Sequence, residues 1–430
     1  MLKLKSVLNF EIEPPPTAYA LKAVNHTKAA IPLEIKTHPL IFAPFIRYSH
    51  RQSPKLITKM KGLQRSTYLL GTALCIQITT LFAQPVATTL VPLNNTTSAW
   101  QVDDENHQYV TYKGKQALLM KQGTALLQTA ELRDGIVELD IMPISDRAFA
   151  GICFRASDSE ALEMIYLRFH KSGQMDALQY TPRYNGLDSW QLYHTEDYQT
   201  QATFKPKDWN HVQVKFEGSR AWIFLNGGLK ASLYVRELLR SPQKGKVGVW
   251  ALGEVAFANF SYSSLPKVVL MREMEAPAAR ANSIINWSLS PAYNAESIDW
   301  RAYPSDTMEW QDIRANDYGL VNVSMYRRKQ IFNQGEKNSL DVVFAKTNIV
   351  ANKEELRPVL FDYSDQIVVF LNGKPLFRGD NSFRSKGMLY RGEVKAGNNI
   401  LYLPLRKGDN ELFIAVAERA NGWGYAFKWE

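Results

Sequence analysis

The segment from Trp209 to Tyr234 constrains the fold most, because it predicts two or three antiparallel strands in series, with two tight turns. Polar and apolar residues alternate from 211 to 217, and this period of two is typical of a strand with one buried face. Gly218-Ser219 predicts a turn, and Asn226-Gly227 is a dipeptide that type I′ hairpins favour, because both central residues adopt a positive φ. The segment therefore predicts an antiparallel β-sheet and gives no indication of a ligand.

Short strands with turns between them are predicted throughout 97–264. The other strand candidates there are Tyr109–Tyr112, Ala117–Lys121, Ala125–Leu132, Ile136–Ile144, Ala148–Arg155, Met164–His170, Ala177–Thr181, Trp190–His194, Lys246–Ala251 and Val255–Tyr262. Many short strands without alternating helices are typical of a sandwich or a barrel. Residues 286–430 show the same alternation, whereas 265–285 lose it and gain Pro and Ala. We therefore expect an all-β chain of two antiparallel β-sandwich (jelly-roll) domains, 97–264 and 286–430, joined by a linker.

Residues 60–83 have the features of a secretory signal peptide. Two basic residues precede an apolar run at 68–82, and Ala83 offers a small residue at the cleavage point. The run is too short and too interrupted for a membrane span, and no other run is long enough. We expect 1–59 to be a non-native extension upstream of a true start at Met60; the alternative is a long targeting or pro-segment. The mature protein would be bacterial and either secreted or periplasmic.

The net charge of +9 would suggest a polyanionic partner, but the positive charge is concentrated in the N-terminal part of the chain. The first 83 residues hold 11 Lys and Arg against 3 Asp and Glu, which leaves 40 against 39 in the remainder. Without the N-terminal part no basic excess remains to attract nucleic acid, so this class of partner is excluded. No Cys/His cluster has metal-ligand spacing, so no cofactor is predicted, although a structural or catalytic divalent cation stays open.

Six phrases follow one another in the first domain: GIVELDIMP, FAGICFRASD, EMIYLRFHKSG, WNHVQVKFEGSRAWIFLNGG, GKVGVWAL and VAFANFSY. Their order resembles the concanavalin A-like lectin/glucanase superfamily, most closely its laminin-G-like and 3-keto-disaccharide-hydrolase-like branches. In the second domain, FDYSDQIVVFLNGKPLFRG and LPLRKGDNELFIAVAE look like the jelly-roll, galactose-binding-like accessory domains of glycoside hydrolases. These resemblances imply sandwiches that hold carbohydrate, and no separate catalytic domain is visible.

The sequence Glu138-Leu139-Asp140 looks like the start of the E-x-D-x-x-E strand of retaining family-16 glucanases. In that family, carboxylates on one strand face act as nucleophile, helper and acid/base, and retaining chemistry needs two carboxyl groups about 5 Å apart. The sixth position here is Pro143, so the acid/base residue is missing. We therefore expect no glucanase activity from this motif, and we expect Glu138 and Asp140 to face solvent.

A ligand-binding face is predicted on two strands of the first domain. Residues 151, 153 and 155 share one face of their strand, and residues 166, 168 and 170 share one face of theirs. If the two faces coincide, one surface gathers Arg155, Tyr166, Arg168 and His170, with Gln179 and Trp190 nearby. Guanidinium groups and aromatic rings suit sugar hydroxyls, and Arg also suits the carboxylate or sulfate of acidic sugars. The alternative is an ordinary solvated sheet face with cross-strand pairs.

In the second domain, candidate residues lie at turns or strand ends, where the accessory domains that it resembles hold sugar. They are Tyr363, Asp365, Arg378, Asn381, Glu418 and Trp423. Trp423 lies between two glycines and either stacks on a sugar ring or fills the end of the sandwich. The second role is favoured because large aromatic residues commonly serve the core. Asp365 is most simply a turn former.

The sequence therefore predicts an exported protein that binds oligo- or polysaccharide, and it favours a binding protein over an enzyme. One alternative is a glycan hydrolase or lyase of the 3-keto-glycoside type on the first domain, for which His170, Glu163 and Asp176 are the available acid/base groups. The other alternative is a non-enzymatic surface protein that binds a protein partner through exposed apolar patches.

Overall fold

The computed structural model describes residues 87–94, 99–266, 282–304, 307–329, 340–419 and 422–430. Apart from two turns of 3-10 helix, Phe169–Lys171 and Val323–Met325, the regular elements of these residues are β-strands. Their pairs are antiparallel, which confirms the predicted fold class. The predicted signal peptide, the upstream extension and most of the linker lie outside the described residues. Neither helical turn is long and apolar enough to cross a membrane.

The first module is the part of the chain from β1 to β14, counted over the described residues. The strand bounds are β1 Thr89–Leu90, β2 Trp100–Val102, β3 Gln108–Tyr112, β4 Lys115–Leu132, β5 Gly135–Pro143, β6 Phe149–Asp158, β7 Ala161–Arg168, β8 Leu178–Tyr184, β9 Leu187–Asp188, β10 Gln199–Thr200, β11 Asn210–Glu217, β12 Arg220–Leu225, β13 Leu233–Val235 and β14 Gly245–Ser264.

Strand β14 is long and belongs to both layers of the first sandwich. Its first part, to Leu252, pairs with β6, and the part from Val255 pairs with β5. The strand order β10-β8-β7-β6-β14-β5-β11-β12-β13 therefore places β6 to β8 in one layer and β5 and β11 to β13 in the other. Gly253 lies at the bend with φ +88°, and a Cβ there would be 2.5 Å from the Arg147 carbonyl oxygen. Only glycine fits this position without a shift of the backbone.

The two layers pack face to face around one hydrophobic core. Ile152, Ile165 and Leu167 enter it from one layer, and Leu139 and Val214 enter it from the other. Burying an aliphatic side chain of this size contributes roughly 1.5–3 kcal/mol relative to exposure. The opposite face of β6, β7 and β8, here called the outer face, is left free to meet other parts of the chain.

The hairpin series predicted between Trp209 and Tyr234 is confirmed. Strand β11 alternates between buried and partly exposed residues and pairs with β12, which pairs in turn with β13. Asn226 and Gly227 follow β12 with φ values of +51° and +75°. Both values are positive, as a type I′ turn requires.

The second module is the part of the chain from β15 to β25, again counted over the described residues. The strand bounds are β15 Asn286–Leu289, β16 Tyr293–Asn294, β17 Gln311–Arg314, β18 Leu320–Asn322, β19 Asp341–Ala351, β20 Glu355–Ser364, β21 Gln366–Leu371, β22 Lys374–Asp380, β23 Asn399–Leu405, β24 Gly408–Glu418 and β25 Gly424–Trp429.

These strands form two sheets that enclose a second core. One sheet has the order β17-β15-β19-β24-β21-β22, with β16 beside β19, and the other has the order β18-β25-β20-β23. Trp287, Phe361 and Tyr425 are among the buried residues between them. On the outside of the four-stranded sheet, Leu356 and Tyr402 are more than half exposed.

The two modules lie in one compact unit of the chain and are joined by direct hydrogen bonds. The contacts are Asn185 Nδ2 to Ser324 O at 2.8 Å, Asn322 Nδ2 to Ser189 Oγ at 2.9 Å, Gln191 Nε2 to Arg391 O at 2.8 Å, and His194 Nε2 with Val394 O at 2.9 Å. All four involve the first-module segment 185–194. This segment therefore docks the second module beside the outer face of β6 to β8.

Candidate functional site

A cleft of about 460 Å³ lies between the outer face of β6 to β8 and the β22–β23 loop of the second module. Its apolar lining consists of Phe149, Met164, Tyr166, Trp190, Trp250, Leu252 and Phe383. Its polar lining includes Arg147, Arg168, His170, Lys171, Asp188 and Arg391. Both modules therefore contribute side chains to the same cleft.

Strand parity determines which side chains of β7 reach the cleft. Ile165 and Leu167 enter the sandwich core, so Met164, Tyr166 and Arg168 project from the outer face. The predicted common face of Tyr166 and Arg168 is confirmed. Whether these residues bind a ligand stays a prediction.

A hydrogen-bond network beneath the cleft fixes the Arg168 guanidinium. Gln179 is fully buried, and its Oε1 accepts hydrogen bonds from Tyr166 OH at 2.7 Å and from Arg168 Nη2 at 2.6 Å. Its amide nitrogen donates to the carbonyl oxygens of Trp190 and Tyr193 at 3.0 and 2.6 Å. The guanidinium carbon lies 4.6 Å from the Tyr166 ring centroid and 5.5 Å from that of Trp190. These contacts hold the arginine in one orientation.

Asp176 organises the cationic end of the cleft. Its backbone carbonyl accepts a hydrogen bond from Arg168 Nη1 at 2.6 Å. Its buried carboxylate accepts one from Lys171 Nζ at 2.6 Å and forms an ion pair with the guanidinium of Arg391. Burial, and next the charges of Arg391 and Arg168, lower the pKa of Lys171 to about 8. Lys171 is therefore mostly protonated at pH 7.

His170 lies in the 3-10 turn that follows β7, and it also lines the cleft. Its ring meets Phe149 edge to face, with the centroids 4.7 Å apart. Burial lowers the pKa of His170, and the charges of Arg147 and Lys171 lower it further. The imidazole is therefore neutral at pH 7 and able to accept a proton.

The prediction that Arg155 shares this face is wrong. The pairing of β6 with β7 shifts register after Phe154, and Arg155 has a φ of +49°, so the alternation of side chains is interrupted there. The Arg155 side chain is fully buried instead. It donates to the carbonyl oxygens of Arg133 and Gly218 at 2.8 and 2.6 Å and lies 3.2 Å from Asp134 Oδ1.

Glu163, one of the acid/base candidates, does not line the cleft. It lies on the same side of β7 as Ile165, where it accepts hydrogen bonds from Tyr180 OH at 2.5 Å and from the Arg240 backbone N–H at 3.1 Å. Its complete burial raises the pKa of Glu163 to about 7. It stabilises the interior of the module rather than the cleft.

The expectation that Asp140 faces solvent is wrong. Its carboxylate is buried and contacts Lys115 Nζ at 2.6 Å, His211 Nδ1 at 3.0 Å and Asn259 Nδ2 at 2.6 Å. A register shift in the pairing of β14 with β5 brings Asn259 into reach. Glu138 is partly exposed. This cluster does not line the cleft.

Of the second-module candidates, none lines the cleft in the described part of the chain. Tyr363 and Trp423 are buried in the core, and Trp423 donates its indole N–H to Val416 O at 3.1 Å. The favoured alternative for Trp423, filling the sandwich, is therefore the one that the structure shows. Asn381 is buried and donates to Asp362 Oδ1 at 2.7 Å, whereas Arg378 is exposed on the edge strand β22.

Asp365 and Glu418 are both buried, near Lys329. The Lys329 ammonium donates to the Glu418 carbonyl oxygen at 2.6 Å, and Asp365 Oδ2 accepts from the Arg419 backbone N–H at 3.1 Å. Burial raises the pKa of Asp365 to about 6 and raises that of Glu418 further above its ordinary value. These carboxyl groups are interior groups of the second module.

Sequence reasoning missed several residues that line the cleft. The position of Trp250 was predictable, because its neighbours Val249 and Ala251 enter the core. Alternation along the strand therefore places Trp250 on the outer face. Phe383 and Arg391 had none, since a loop some 200 positions away in the chain supplies them. Only the docking of the second module reveals their role.

Residues 89–261 match the family model of the 3-keto-alpha-glucoside-1,2-lyase-like domain. The first module is similar to this family. The match includes the strands that form the floor of the cleft, and it confirms the predicted resemblance to the 3-keto-disaccharide-hydrolase-like branch. No curated protein matches the chain.

Solved structures of low sequence identity resemble the chain over a similar length. The carbohydrate-binding module CBM66 from Bacillus subtilis shares 16% identity over 39% of this chain and 98% of its own, with a TM-score of 0.31. A Bacillus licheniformis beta-glucanase shares 11% identity over 43% of this chain and 100% of its own, also with a TM-score of 0.31. Among the described residues, no three His, Cys, Asp or Glu side chains are placed to hold a metal ion.

Proposed function

We propose that this protein binds an oligo- or polysaccharide in the cleft between its modules, and that it does so after export from the cytoplasm. The observation that carries the proposal is an oriented guanidinium among aromatic rings: Tyr166 and Trp190 flank Arg168, and Trp250 contacts Tyr166. Aromatic rings pack against the C–H faces of sugars, and a guanidinium donates to their hydroxyl oxygens. The similarity of the first module to a family named for a glucoside-cleaving activity supports the same class of ligand.

The cleft has a size and rigidity that suit such a ligand. Its volume of about 460 Å³ lies within the range of roughly 300–1,000 Å³ that small-molecule sites occupy. Gln179 holds Tyr166 and Arg168 through hydrogen bonds within the first module. Little side-chain order has to be gained on binding, which favours affinity.

A glycan array followed by calorimetry on the mature chain tests the proposal. We expect Trp190→Ala to weaken binding of any confirmed glycan at least tenfold, a loss of about 1.4 kcal/mol. Trp222→Ala is the matched control, because Trp222 stacks on Tyr234 in the other layer and lies outside the cleft. Absence of any glycan that binds below millimolar concentration would defeat the proposal.

A second candidate function is elimination from 3-keto-glycosides, and the neutral imidazole of His170 favours it. A 3-keto sugar has an acidic proton at C2, which His170 can accept. The electron pair of that C–H bond forms a C2–C3 double bond, and the carbonyl electrons move to the C3 oxygen to give an enolate. When the enolate collapses to the ketone, the C1–C2 double bond forms and the C1–O bond breaks, and the departing oxygen keeps its electron pair and takes the proton from the His170 imidazolium. Arg168 and Lys171 supply positive charge that stabilises the intermediate enolate oxygen.

Incubation with a 3-keto-disaccharide, followed by chromatography of the released sugar, tests this second candidate. We expect His170→Gln to slow release by about 100-fold, the usual contribution of a general base. His107→Gln is the control, because His107 does not line the cleft. Equal rates in buffer and with the wild-type protein would refute this second candidate.

A further inference from the structure

Positive charge exceeds negative charge around the cleft. The cations in or beside it are Arg147, Arg168, Lys171, Arg183 and Arg391, and the carboxylates that contact them belong to Asp176, Asp188 and Glu393. Arg183 and Asp188 pair with each other through two contacts of 2.7 and 3.1 Å. The remaining two carboxylates face four cations.

Those two carboxylates are already engaged by three of the cations. Asp176 contacts Lys171 and Arg391, and it lies 3.7 Å from Arg168 Nη1. Glu393 Oε1 lies 3.0 Å from Arg391 Nη1. Among the described residues, no carboxylate lies within 4.0 Å of the exposed Arg147 guanidinium, which projects at the rim of the cleft.

We propose that the cleft selects glycans that carry an anionic group, a carboxylate or a sulfate ester, and that Arg147 at the rim binds this group together with Lys171 and Arg391. This inference rests on the proposed function, since it names the class of glycan for the same cleft. A neutral glycan would cover these cations and leave the excess of positive over negative charge uncompensated, which is unfavourable once water is excluded. An anionic group would balance the charge and accept hydrogen bonds from the guanidinium groups.

The crowding of like charges also affects the pKa values of three neighbouring groups. The pKa values of His170, Lys171 and Arg391 are all lowered, first by burial and also by the cations around them. A bound anion opposes this effect and therefore raises the pKa of His170. The His170 imidazole can thus report on the charge of the ligand in an NMR titration.

The experiment compares matched glycan pairs that differ only in charge. Oligogalacturonides are paired with their methyl esters, oligomannuronates with their methyl esters, and sulfated galactans with their desulfated forms. In calorimetry at 50 mM NaCl, the anionic member of at least one pair is expected to bind at least tenfold more tightly than its neutral partner. Its affinity is expected to fall several-fold at 300 mM NaCl. The first two pairs report on carboxylates and the third on sulfate.

Arg147→Gln is expected to weaken binding of the anionic member about threefold, the size of an exposed ion pair, and to leave the neutral member unchanged. Arg147→Lys retains the charge and is expected to restore most of the affinity. Lys230→Gln removes one positive charge from an exposed position outside the cleft and serves as the control. The pKa of His170 should rise when the anionic member binds.

The outcomes separate this inference from the proposed function. If neutral and anionic members bind equally well and Trp190→Ala weakens both, the cleft binds glycans but charge selection is refuted. If the neutral member binds more tightly, charge selection is refuted as well. If no member of any pair binds while the glycan array yields a neutral ligand, charge selection is refuted and the proposed function stands; if the array yields no ligand either, both fail.

Discussion

Replacement of Arg155 by alanine is expected to destabilise the first module without changing the cleft. The fully buried guanidinium joins two separate turns, one through the Arg133 carbonyl oxygen and Asp134, the other through the Gly218 carbonyl oxygen. Asp134 also accepts the Gly218 backbone N–H at 2.8 Å. Arg155→Ala removes the positive partner of Asp134 and one hydrogen bond from each of the two carbonyl groups.

The structure sets the size of this effect. Removing one partner of a buried ion pair costs roughly 3–5 kcal/mol, because the other charge stays buried without compensation. Each buried carbonyl group left without its donor adds up to about 1–3 kcal/mol, although these losses overlap with the first. We therefore expect the free energy of unfolding to fall by about 3–5 kcal/mol, whereas an exposed arginine such as Arg314 changes it by less than about 0.5 kcal/mol.

Urea unfolding followed by fluorescence and circular dichroism measures the difference, with Arg314→Ala as the control. Two modules can give two transitions, so each transition is fitted separately. In buffer without urea, at a temperature where Arg155→Ala is still folded, the glycan affinity of this variant should equal that of the wild type. A loss of stability below about 1 kcal/mol, or a folded variant with lost affinity, would refute the assignment of Arg155 to the interior.

Three further predictions concern stability and the support of the cleft. The folded state raises the pKa of Glu163 from 4.5 to about 7, so this group stabilises the fold fully below pH 4.5, and about 3 kcal/mol is lost as the pH rises to 7. Glu163→Gln should therefore flatten the fall in stability between pH 4.5 and pH 7 in urea titrations, and an unchanged slope would contradict it. Gln179→Leu removes the acceptor that orients Arg168 and should weaken glycan binding about tenfold by calorimetry, while an unaltered affinity would show that the network is dispensable. Gly248→Ala would place a Cβ 2.1 Å from the Ala125 carbonyl oxygen, so thermal unfolding should reveal a loss of about 2 kcal/mol or more, and a neutral result would count against the tight pairing of β14 with β4.

The local features of the first module were predictable from the sequence because they depend on neighbours in the chain. The alternation at 211–217 and the Asn226-Gly227 turn each specify a conformation within a few residues. The face of Tyr166 and Arg168 was predictable for the same reason, since β7 runs without interruption. Parity counting is reliable where a strand pairs in continuous register.

Arg155 shows where parity counting fails. The count from 151 to 155 assumes that each residue turns its side chain to the face opposite its neighbour, but the register shift after Phe154 breaks this rule. A positive φ at a residue other than glycine has no reliable pattern in the sequence. Asp140 was misjudged for a related reason, because Asn259 reaches it only through a shift in β14.

The second module contributes to the cleft through contacts between residues far apart in the chain, which no local sequence pattern predicts. Gln191 donates a hydrogen bond to the Arg391 carbonyl oxygen, and the Arg391 side chain pairs with Asp176 across the modules. The same segment of the first module that contains Gln191 also contributes Trp190 to the wall of the cleft. Contacts that hold the two modules together therefore also set the spacing between an aromatic wall and a cationic rim. On this view the second module is part of the proposed binding site, rather than a separate accessory sandwich with a site of its own.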